Sequence, residues 1–207
     1  MPHVYLVIEG PIGVGKTALT RLMSEQLGIP ALFEQFEENP FLSKFYADPE
    51  RYAFQTEVFF LLNRYRQQRD EVLPAVEKGD LVCDYMFAKT KLFAGMNLAG
   101  DEWTLFEQIY DALSERVPKP QLTVYLRASV DTLMNRIYQR DRWFEREMRR
   151  AYIERLSKVY EDFFATYADS PLLTVATDEF DFVQNPTARQ HIMALITSAI
   201  ESVRRKA

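Results

Sequence analysis

Gly10-Pro11-Ile12-Gly13-Val14-Gly15-Lys16-Thr17 is the stretch that decides the fold, because it matches the pattern G-x-x-x-x-G-K-[ST] of a phosphate-binding loop. It follows the apolar run Val4–Ile8, which has the length and composition of a buried strand. It precedes Ala18–Leu27, where apolar residues recur at helical spacing up to Gly28, a typical helix C-cap. Strand, glycine loop and helix therefore occur in the order that a phosphate cradle needs.

The residues of this loop predict a site for a nucleoside triphosphate and Mg²⁺. The glycines let successive backbone N–H groups turn toward one anion, and the N-terminus of the following helix adds its positive end. We expect Lys16 to neutralise the β- and γ-phosphates and the Thr17 hydroxyl to ligate Mg²⁺. The residues of the loop expected to bind ATP are Gly10, Gly13, Val14, Gly15, Lys16 and Thr17.

The composition is that of one globular domain with a small-molecule partner. Of the 207 residues, 47% are hydrophobic and 27% charged, which excludes a disordered chain. The net charge is −5 and both signs are mixed along the sequence, which argues against a general binder of nucleic acid or membrane surfaces. Cys83 is the only cysteine, so no internal disulfide can form. With no basic leader and no long apolar stretch, we expect a cytoplasmic protein.

Alternating strand and helix patterns along the chain predict an α/β fold. After the first strand, the predicted strands are 30–34, 81–84, 122–126 and 172–175. The predicted helices after the first are 39–46, 52–78, 87–98, 103–117, 130–168 with an interruption near 141–143, and 186–203. This order specifies a doubly wound, five-stranded parallel sheet flanked by helices, within a single domain over 1–207.

Prolines and their neighbours mark several helix boundaries. Asn39-Pro40 is expected to open a short helix, with Asn39 as its N-cap, and Asp48-Pro49 is expected to open the next in the same way. Pro74 is expected to bend the long helix that follows or to end it early.

Polar residues follow the predicted strands at one edge of the sheet. Gly10, Glu34, Asp84 and Arg127 each come at or just after the carboxyl end of a strand. Ligands of open parallel sheets bind beyond those ends. We therefore expect the four positions to border one site.

A late group of arginines indicates phosphoryl transfer to a small molecule. Arg136 and Arg140 are four residues apart on one helical face, and Arg142 follows them. Such a group can close over a transferring phosphate as a lid, here about 136–150. The Asn-Lys-x-Asp segment of guanine-nucleotide switches does not occur in the sequence. A small-molecule kinase therefore fits better than a switch or a motor.

At this point the sequence resembles the deoxyribonucleoside kinase family, in particular its bacterial members that act on deoxyadenosine and deoxyguanosine. The resemblance runs nearly end to end. The stretches that carry it are the glycine loop, Glu34-Gln35-Phe36, Asn39-Pro40-Phe41-Leu42, Phe45-Tyr46-Ala47-Asp48-Pro49, Tyr52-Ala53-Phe54, Tyr125-Leu126-Arg127-Ala128-Ser129, Arg136 to Glu145, and Asp181-Phe182. It implies transfer of the γ-phosphate of ATP to the 5′-hydroxyl of a deoxynucleoside, by a homodimer.

The resemblance also implies roles for individual positions. Glu34 corresponds to the base that accepts the proton of the 5′-hydroxyl, although Gln35 replaces the proline that usually follows it. Tyr46 and Glu145 correspond to the pair that holds the sugar 3′-hydroxyl, and Arg64 to an arginine near the base and the 5′ end. The lid residues are Arg136, Arg140 and Arg142, and the loop around the base of the phosphate donor is Asp181-Phe182.

One departure from the family pattern lies after the third strand. The family has an acid followed by Arg-Ser there, whereas this chain has Asp84-Tyr85-Met86. Asp84 can still support Mg²⁺, together with Thr17, and the acceptor end. The missing arginine leaves Lys89, Lys91 or Arg64 as replacements, among which the sequence does not choose.

A second departure concerns recognition of the base. Counted without a gap from Tyr46, the family's base-reading glutamine falls at Glu57, while Gln55 lies on another face of the same helix. An ionised glutamate offers only acceptors, which suit the N1–H and N2–H₂ donors of guanine, whereas glutamine suits adenine. Glu57 therefore predicts a preference for deoxyguanosine, with Lys89 or Lys91 as a donor to O6; the alternative is that Gln55 faces the site.

Two other functions are compatible with the glycine loop. One is a thymidylate-kinase-like enzyme whose acceptor is already a monophosphate, although Tyr85 stands where arginines around that phosphate would be expected. The other is a regulatory module that binds ATP without turnover, as the lost arginine permits. Consumption of ATP that depends on an added deoxynucleoside distinguishes these from the first interpretation.

Overall fold

The apolar run before the glycine loop forms the central strand of a parallel sheet. A computed structural model describes residues 3–36, 39–146, 148–178 and 181–206. The strands are β1 Tyr5–Glu9, β2 Ala31–Leu32, β3 Leu81–Cys83, β4 Leu122–Arg127 and β5 Leu172–Ala176. Their spatial order is β2-β3-β1-β4-β5, with every pairing parallel. The predicted doubly wound, five-stranded α/β fold is confirmed.

Helices cover the sheet and follow the predicted order. They are α1 Lys16–Leu27, α2 Leu42–Ala47, α3 Pro49–Gln67, α4 Leu73–Lys78, α5 Lys89–Asn97, α6 Gly100–Ser114, α7 Val130–Arg140, α8 Arg150–Ala165 and α9 Pro186–Lys206. A 3₁₀ turn, Trp143–Glu145, fills the predicted interruption between α7 and α8. Positions 147 in the lid range and 179–180 in the donor loop lie outside the described residues. No helix of the described ranges is long and apolar enough to span a bilayer.

The two predicted Asx-Pro helix starts have different outcomes. Asp48 is the N-cap of α3, since its carboxylate accepts the backbone N–H of Arg51 and Pro49 occupies the first turn. Asn39, by contrast, does not cap α2, which begins only at Leu42. Its side-chain oxygen accepts the N–H of Phe41 at 2.9 Å, so it closes a preceding turn instead.

Pro74 does not end the long helical segment early, because helical structure continues past it to Lys78. A π-helical turn, Gln68–Val72, joins α3 to α4, with Pro74 in the first turn of α4. Proline lacks an N–H and crowds the carbonyl four residues earlier in a regular helix, and the wider turn accommodates both defects. Two adjacent glutamines where α3 meets this turn, Gln67 and Gln68, are buried.

Candidate active site

A cavity of about 530 Å³ lies beyond the carboxyl ends of the strands. It brings the glycine loop, the residues after β2 and β3, and the segment after α7 to one place. The predicted site residues that line it are Gly13, Val14, Gly15, Lys16, Thr17, Glu34, Tyr46, Arg64, Asp84, Lys89, Arg136, Arg140, Arg142, Glu145, Asp181 and Phe182. Gly10 starts the loop from the end of β1 and is outside this lining, as is Arg127.

At Gly13 and Gly15 the glycine loop adopts a backbone that only glycine accommodates. Gly13 has a φ of +88°, and a Cβ there would lie 2.8 Å from the carbonyl oxygen of Leu133. Gly15 has a φ of +107°, and a Cβ there would lie 2.8 Å from the ring of Phe182. Because these positions carry no side chains, an anion can approach the backbone of the loop closely, as a phosphate site requires.

Lys16 and Thr17 start α1 at the phosphate end of the cavity. The ammonium of Lys16 donates to the carbonyl oxygens of Gly10 and Pro11, at 2.6 and 3.1 Å. Burial, together with nearby Lys89, lowers the pKa of Lys16 to about 8. Its ammonium is thus held at the loop, where a bound phosphate anion would stabilise the charged form.

The Thr17 hydroxyl and the Asp84 carboxylate form a pair of hard oxygen donors. Thr17 Oγ1 donates to Asp84 Oδ2 at 2.6 Å. Mg²⁺ is bound by one or two protein oxygens plus phosphate oxygens and water, so these two residues fit the ion. These two residues would hold the ion, which would supply positive charge to stabilise the phosphates during transfer.

Glu34 is the centre of a buried ion cluster facing the glycine loop across the cavity. Its Oε1 accepts from Arg64 Nε at 2.8 Å and Nη2 at 2.6 Å, and its Oε2 accepts from Lys89 at 2.6 Å. Burial alone would raise the pKa of Glu34, but the charges and hydrogen bonds of Lys89 and Arg64 outweigh it and hold the pKa at about 2. The carboxylate is therefore ionised throughout the physiological range.

Two contacts fix the backbone on which Glu34 stands. Asp84 Oδ1 accepts the N–H of Glu34 at 2.8 Å. Gln67 donates its amide N–H to the carbonyl oxygen of Phe33 at 2.8 Å. Because β2 is only two residues long, these side chains replace the ladder that a longer strand would have had. Glu34, which follows this short edge strand, is therefore held in position by side chains rather than by a strand ladder.

The three predicted lid arginines line the cavity but have different partners. Arg136 donates to the hydroxyl and carbonyl oxygens of Thr177, at 2.9 and 2.8 Å, and to the carbonyl oxygen of Val14 at 3.3 Å. Its burial lowers the pKa of its guanidinium. Arg136 thus ties the glycine loop to the segment after β5, whereas Arg140 and Arg142 lie nearer to Glu145.

Glu145 and Tyr46, the predicted sugar-binding pair, meet at the lid end of the cavity. Glu145 is 5% exposed and accepts a two-pronged interaction from Arg140, at 2.7 and 2.5 Å. Arg142 Nη1 lies 3.9 Å from the same carboxylate. Burial raises the pKa of the neighbouring Tyr46 hydroxyl, so this phenol stays a neutral donor.

The predicted donor loop packs directly on the glycine loop. Asp181 Oδ1 accepts the N–H groups of Val183 and Gln184, which closes a tight turn. Phe182 is 2% exposed, and Arg189 on α9 donates to its carbonyl oxygen at 3.0 Å. The loop is therefore anchored by side chains on both sides.

Gln55 and Glu57 lie outside the cavity lining, in opposite environments. Gln55 is exposed, which is contrary to the alternative that it faces the site. Glu57 is 2% exposed, on the inward face of α3 that also carries Arg64. Its Oε1 accepts from Asn97 Nδ2 at 2.7 Å, while its Oε2 has no hydrogen-bond partner among the described residues. Burial raises the pKa of Glu57 to about 7, against the opposing effects of Asn97 and Arg64.

The question of what replaces the arginine after Asp84 has a geometric answer. Tyr85 is fully buried and does not face the cavity, so its position cannot supply a cation there. Lys89 and Arg64 both contact Glu34, whereas Lys91 pairs with Glu107 and Asp111 on the surface. Lys91 is therefore excluded as the replacement.

Sequence reasoning missed three residues that support the site: Glu9, Gln67 and Thr177. Glu9 is fully buried at the end of β1, where it accepts the N–H groups of Gly10 and Met86. The sequence could have indicated Glu9, because an acid at the end of an otherwise apolar buried strand needs specific hydrogen-bond donors. Gln67 and Thr177 gave no such signal, since their role depends on the π-helical turn and on the length of β5.

The cavity and its sheet define a class of protein. A glycine loop opposite a cation-bound carboxylate, with arginines between them, is the site of a P-loop phosphotransferase. A family model described as "Deoxynucleoside kinase" matches residues 6–201. The chain belongs to the deoxynucleoside kinase family, and it is an enzyme that uses ATP as its phosphate donor.

Individual relatives agree with this membership. A deoxyguanosine kinase of Bacillus subtilis (strain 168) is 37% identical over 201 residues, covering 95% of this chain and 97% of the relative. A deoxyadenosine kinase of Lactobacillus acidophilus is 30% identical, covering 96% and 97%. A solved structure of deoxyadenosine kinase from M. mycoides with bound dATP superposes with a TM-score of 0.82 at 24% identity, covering 94% of this chain and all of that one.

Proposed function

We propose that the protein transfers the γ-phosphate of ATP to the 5′-hydroxyl of a purine deoxynucleoside, and that it favours deoxyguanosine over deoxyadenosine. The observation that carries the reaction is Glu34, a buried carboxylate in the same cavity as the glycine loop and held by Arg64 and Lys89. The relatives include both deoxyguanosine and deoxyadenosine kinases, so the proposed preference rests on this chain's own residues.

Glu34 is suited to orient the acceptor hydroxyl. A carboxylate has about four lone-pair positions, and Arg64 and Lys89 fill three of them. The remaining position, on Oε2, can accept the 5′-hydroxyl proton. A weak base is sufficient, because phosphoryl transfer passes through a loose transition state in which the proton moves late.

Cations surround the path of the phosphoryl group. Lys16 stands at the glycine loop, Lys89 beside Glu34, and Arg140 with Arg142 at the lid side of the cavity. Preorganised positive groups around developing charge supply most of the rate in such reactions. Thr17 and Asp84 would hold Mg²⁺ against the phosphates.

Two further groups suit a deoxyribose. Tyr46 offers a neutral phenol and Glu145 a carboxylate on the same wall of the cavity. Together they can donate to and accept from one hydroxyl, as the 3′ position requires. Arg140, paired with Glu145, would orient that carboxylate.

The preference for guanine rests on Glu57. Its Oε2 is buried without a partner, and Tyr46, which lines the cavity, interacts electrostatically with Glu57. Guanine brings two donors, N1–H and N2–H₂, to such an acceptor. Adenine N1 would oppose one acceptor to another, at a cost of about 1–3 kcal/mol.

The reaction is tested by following label from γ-labelled ATP to each of the four deoxynucleosides. We expect transfer to the two purines, and a loss of about 100-fold or more in kcat for Glu34→Gln. Absence of transfer to every deoxynucleoside, with no effect of Glu34→Gln, would refute the proposal.

The preference is tested by the ratio of kcat/KM for deoxyguanosine to that for deoxyadenosine. Glu57→Gln should shift the ratio toward deoxyadenosine by about tenfold, the equivalent of one well-placed hydrogen bond. Gln55→Glu, on the exposed face of the same helix, is the matched control and should leave the ratio unchanged. An unchanged ratio in Glu57→Gln would refute the role of this residue.

We also infer a homodimer formed through helix packing. Leu62 on α3 and Leu105 on α6 are large apolar side chains that are 42% and 48% exposed. Light scattering coupled to size exclusion should give twice the mass of 24.3 kDa. A monomer at micromolar concentration would exclude this assembly.

A further inference from the structure

Glu9 carries a carboxylate into the interior of the protein. It ends β1, whose other residues are apolar or aromatic, and it is 0% exposed. Among the described residues, no lysine or arginine forms a direct ion pair with it, and Lys16 interacts with it only as a more distant charge. A buried carboxylate without a direct ion pair needs several hydrogen-bond donors to stay in place.

Three donors from three different segments meet this carboxylate. Oε1 accepts the N–H of Gly10 at 2.8 Å and the hydroxyl of Tyr160 at 3.0 Å. Oε2 accepts the N–H of Met86 at 3.0 Å. Gly10 is the first residue of the glycine loop, Met86 follows β3, and Tyr160 lies on α8.

The place of these bonds is the point at which two strands separate. The register of β1 with β3 ends at Val7 and Cys83. Beyond this point, β1 continues into the glycine loop, whereas β3 continues into Asp84-Tyr85-Met86. The Glu9 side chain takes over from the backbone ladder and keeps the two segments together.

The same two segments carry the oxygen pair at the phosphate end of the cavity. Thr17 is the last residue of the glycine loop, and Asp84 lies two residues before Met86. Their 2.6 Å contact depends on how the two segments are aligned. Mg²⁺ demands nearly ideal octahedral geometry at about 2.0–2.1 Å, so a small misalignment of its ligands matters.

We propose that Glu9 is a positioning residue for the metal and phosphate end of the site, because its carboxylate holds the glycine loop and the Asp84 segment in the alignment that Mg²⁺ needs. The inference rests on the proposed use of Mg²⁺ with ATP. Glu9 itself does not touch the cavity, and it acts through Gly10 and Met86. Tyr160 fixes the carboxylate from the side of α8.

The test is calorimetric titration of ADP into Glu9→Gln, once with Mg²⁺ and once with EDTA. The amide keeps the shape but sets an N–H₂ group against an N–H or O–H donor. Groups behind metal ligands usually contribute 10–100-fold to metal affinity or activity. We expect the gain in ADP affinity that Mg²⁺ provides to fall by about 10–100-fold, kcat to fall with it, and affinity in EDTA to change by less than about threefold.

Other outcomes decide against the inference. An undiminished effect of Mg²⁺ overturns it, and so does an equal loss of ADP affinity with and without Mg²⁺, which is the mark of general damage. A native protein that binds ADP with Mg²⁺ but phosphorylates no deoxynucleoside would refute the proposed function and leave this inference standing.

A second variant keeps the test decisive if Glu9→Gln does not fold. Tyr160→Phe removes one of the three donors and should reduce the Mg²⁺ effect by about threefold to tenfold. Tyr125→Phe is the matched control, because its ring stacks on Tyr160 while the Glu9 carboxylate accepts nothing from it. An equal effect of the two phenylalanine variants overturns the inference.

Discussion

At the scale of single residues, Glu57 makes stability depend on pH near neutrality. Burial raises its pKa to about 7, against 4.5 for a free glutamate. Below the lower value both folded and unfolded chains hold the proton, and between the two values only the folded chain does. The stabilising contribution of the protonated group is therefore complete below pH 4.5 and is lost as the pH rises through 7.

Glu57→Gln should remove this dependence. The free energy of unfolding of the native protein relative to the variant should decrease between pH 5 and 8, by an amount on the order of 3 kcal/mol. Urea unfolding at several pH values measures it. Gln55→Ala, which alters no ionisable group, should leave the difference flat, and a flat difference for Glu57→Gln would contradict the prediction.

The same titration predicts that base preference changes with pH. An ionised Glu57 accepts from guanine, whereas a protonated one can donate to adenine N1. The ratio of kcat/KM for deoxyguanosine to deoxyadenosine should therefore rise as the pH increases through about 7. Assays from pH 6 to 8.5 on the native protein and Glu57→Gln measure it, and equal slopes in the two proteins would speak against it.

Lys89 and Lys91 form a natural pair of target and control on α5. Lys89 is buried against Glu34, while Lys91 pairs with surface carboxylates. Lys89→Met removes a preorganised cation beside the acceptor and should lower kcat/KM by about 100-fold. Lys91→Met should change it by less than about twofold, because exposed pairs contribute little. Comparable losses in both variants would rule out a special role for Lys89.

At the scale of elements, the lid segment contains two similar ion pairs in different environments. Arg140 donates two hydrogen bonds to the Glu145 carboxylate. Arg146 donates two hydrogen bonds to the Asp141 carboxylate in the same way. Glu145 is 5% exposed, whereas both members of the second pair are more than 60% exposed. The two pairs therefore differ in the burial of the acid, and Glu145 also has Arg142 at 3.9 Å.

Double-mutant cycles should separate these pairs. Alanine substitutions at Arg140 and Glu145 should show a coupling of about 1–3 kcal/mol in kcat/KM for the deoxynucleoside, because loss of Arg140 leaves the buried Glu145 carboxylate with only the more distant Arg142. The Arg146 and Asp141 cycle should give less than about 0.5 kcal/mol. Equal couplings would show that the buried pair does not organise the cavity.

The elements also show which features the sequence can predict. Short apolar runs located every strand, and the polar residues after them located Glu34 and Asp84, because strand ends meet at one edge of a parallel sheet. The choices between Gln55 and Glu57, and between Lys89 and Lys91, depend on helix phase. A shift of one or two residues at the start of α3 or α5 changes which of two neighbouring side chains points inward. The burial of these side chains is therefore known only once the helix bounds are known.

Supporting contacts were less predictable for a related reason. The π-helical turn at Gln68–Val72 is polar apart from Val72, so hydrophobic periodicity does not reveal it. Glu9 and Gln67 act on backbone groups of residues distant in sequence, Met86 and Phe33. Such contacts depend on which strands become neighbours, and the order of strands follows from the whole sheet rather than from local sequence.

At the scale of the whole molecule, Asp80 joins the two ends of the described chain. Its Oδ1 accepts the N–H of Val4, just before β1, at 2.8 Å, and its other oxygen pairs with Arg204 in the last turn of α9. Both carboxylate oxygens are thus used at the amino ends of β1 and β3, opposite the cavity. The pair is at most 30% exposed, so solvent screens it only in part.

Asp80→Ala should therefore lower stability without changing catalysis. Loss of the acceptor leaves the Val4 N–H and the Arg204 guanidinium without this partner, and we expect the free energy of unfolding to fall by about 2–3 kcal/mol. Arg204→Ala should cost less, about 1 kcal/mol, since the Val4 bond survives. Asp169→Ala, from an ion pair more than half exposed, is the control and should stay within about 0.5 kcal/mol. Urea unfolding measures all three variants, and kcat below the unfolding transition should match the native value. A change in kcat under conditions where the variant is fully folded would contradict this prediction. It would mean that the contacts of Asp80 with Val4 and Arg204 also affect the site at the opposite edge of the sheet.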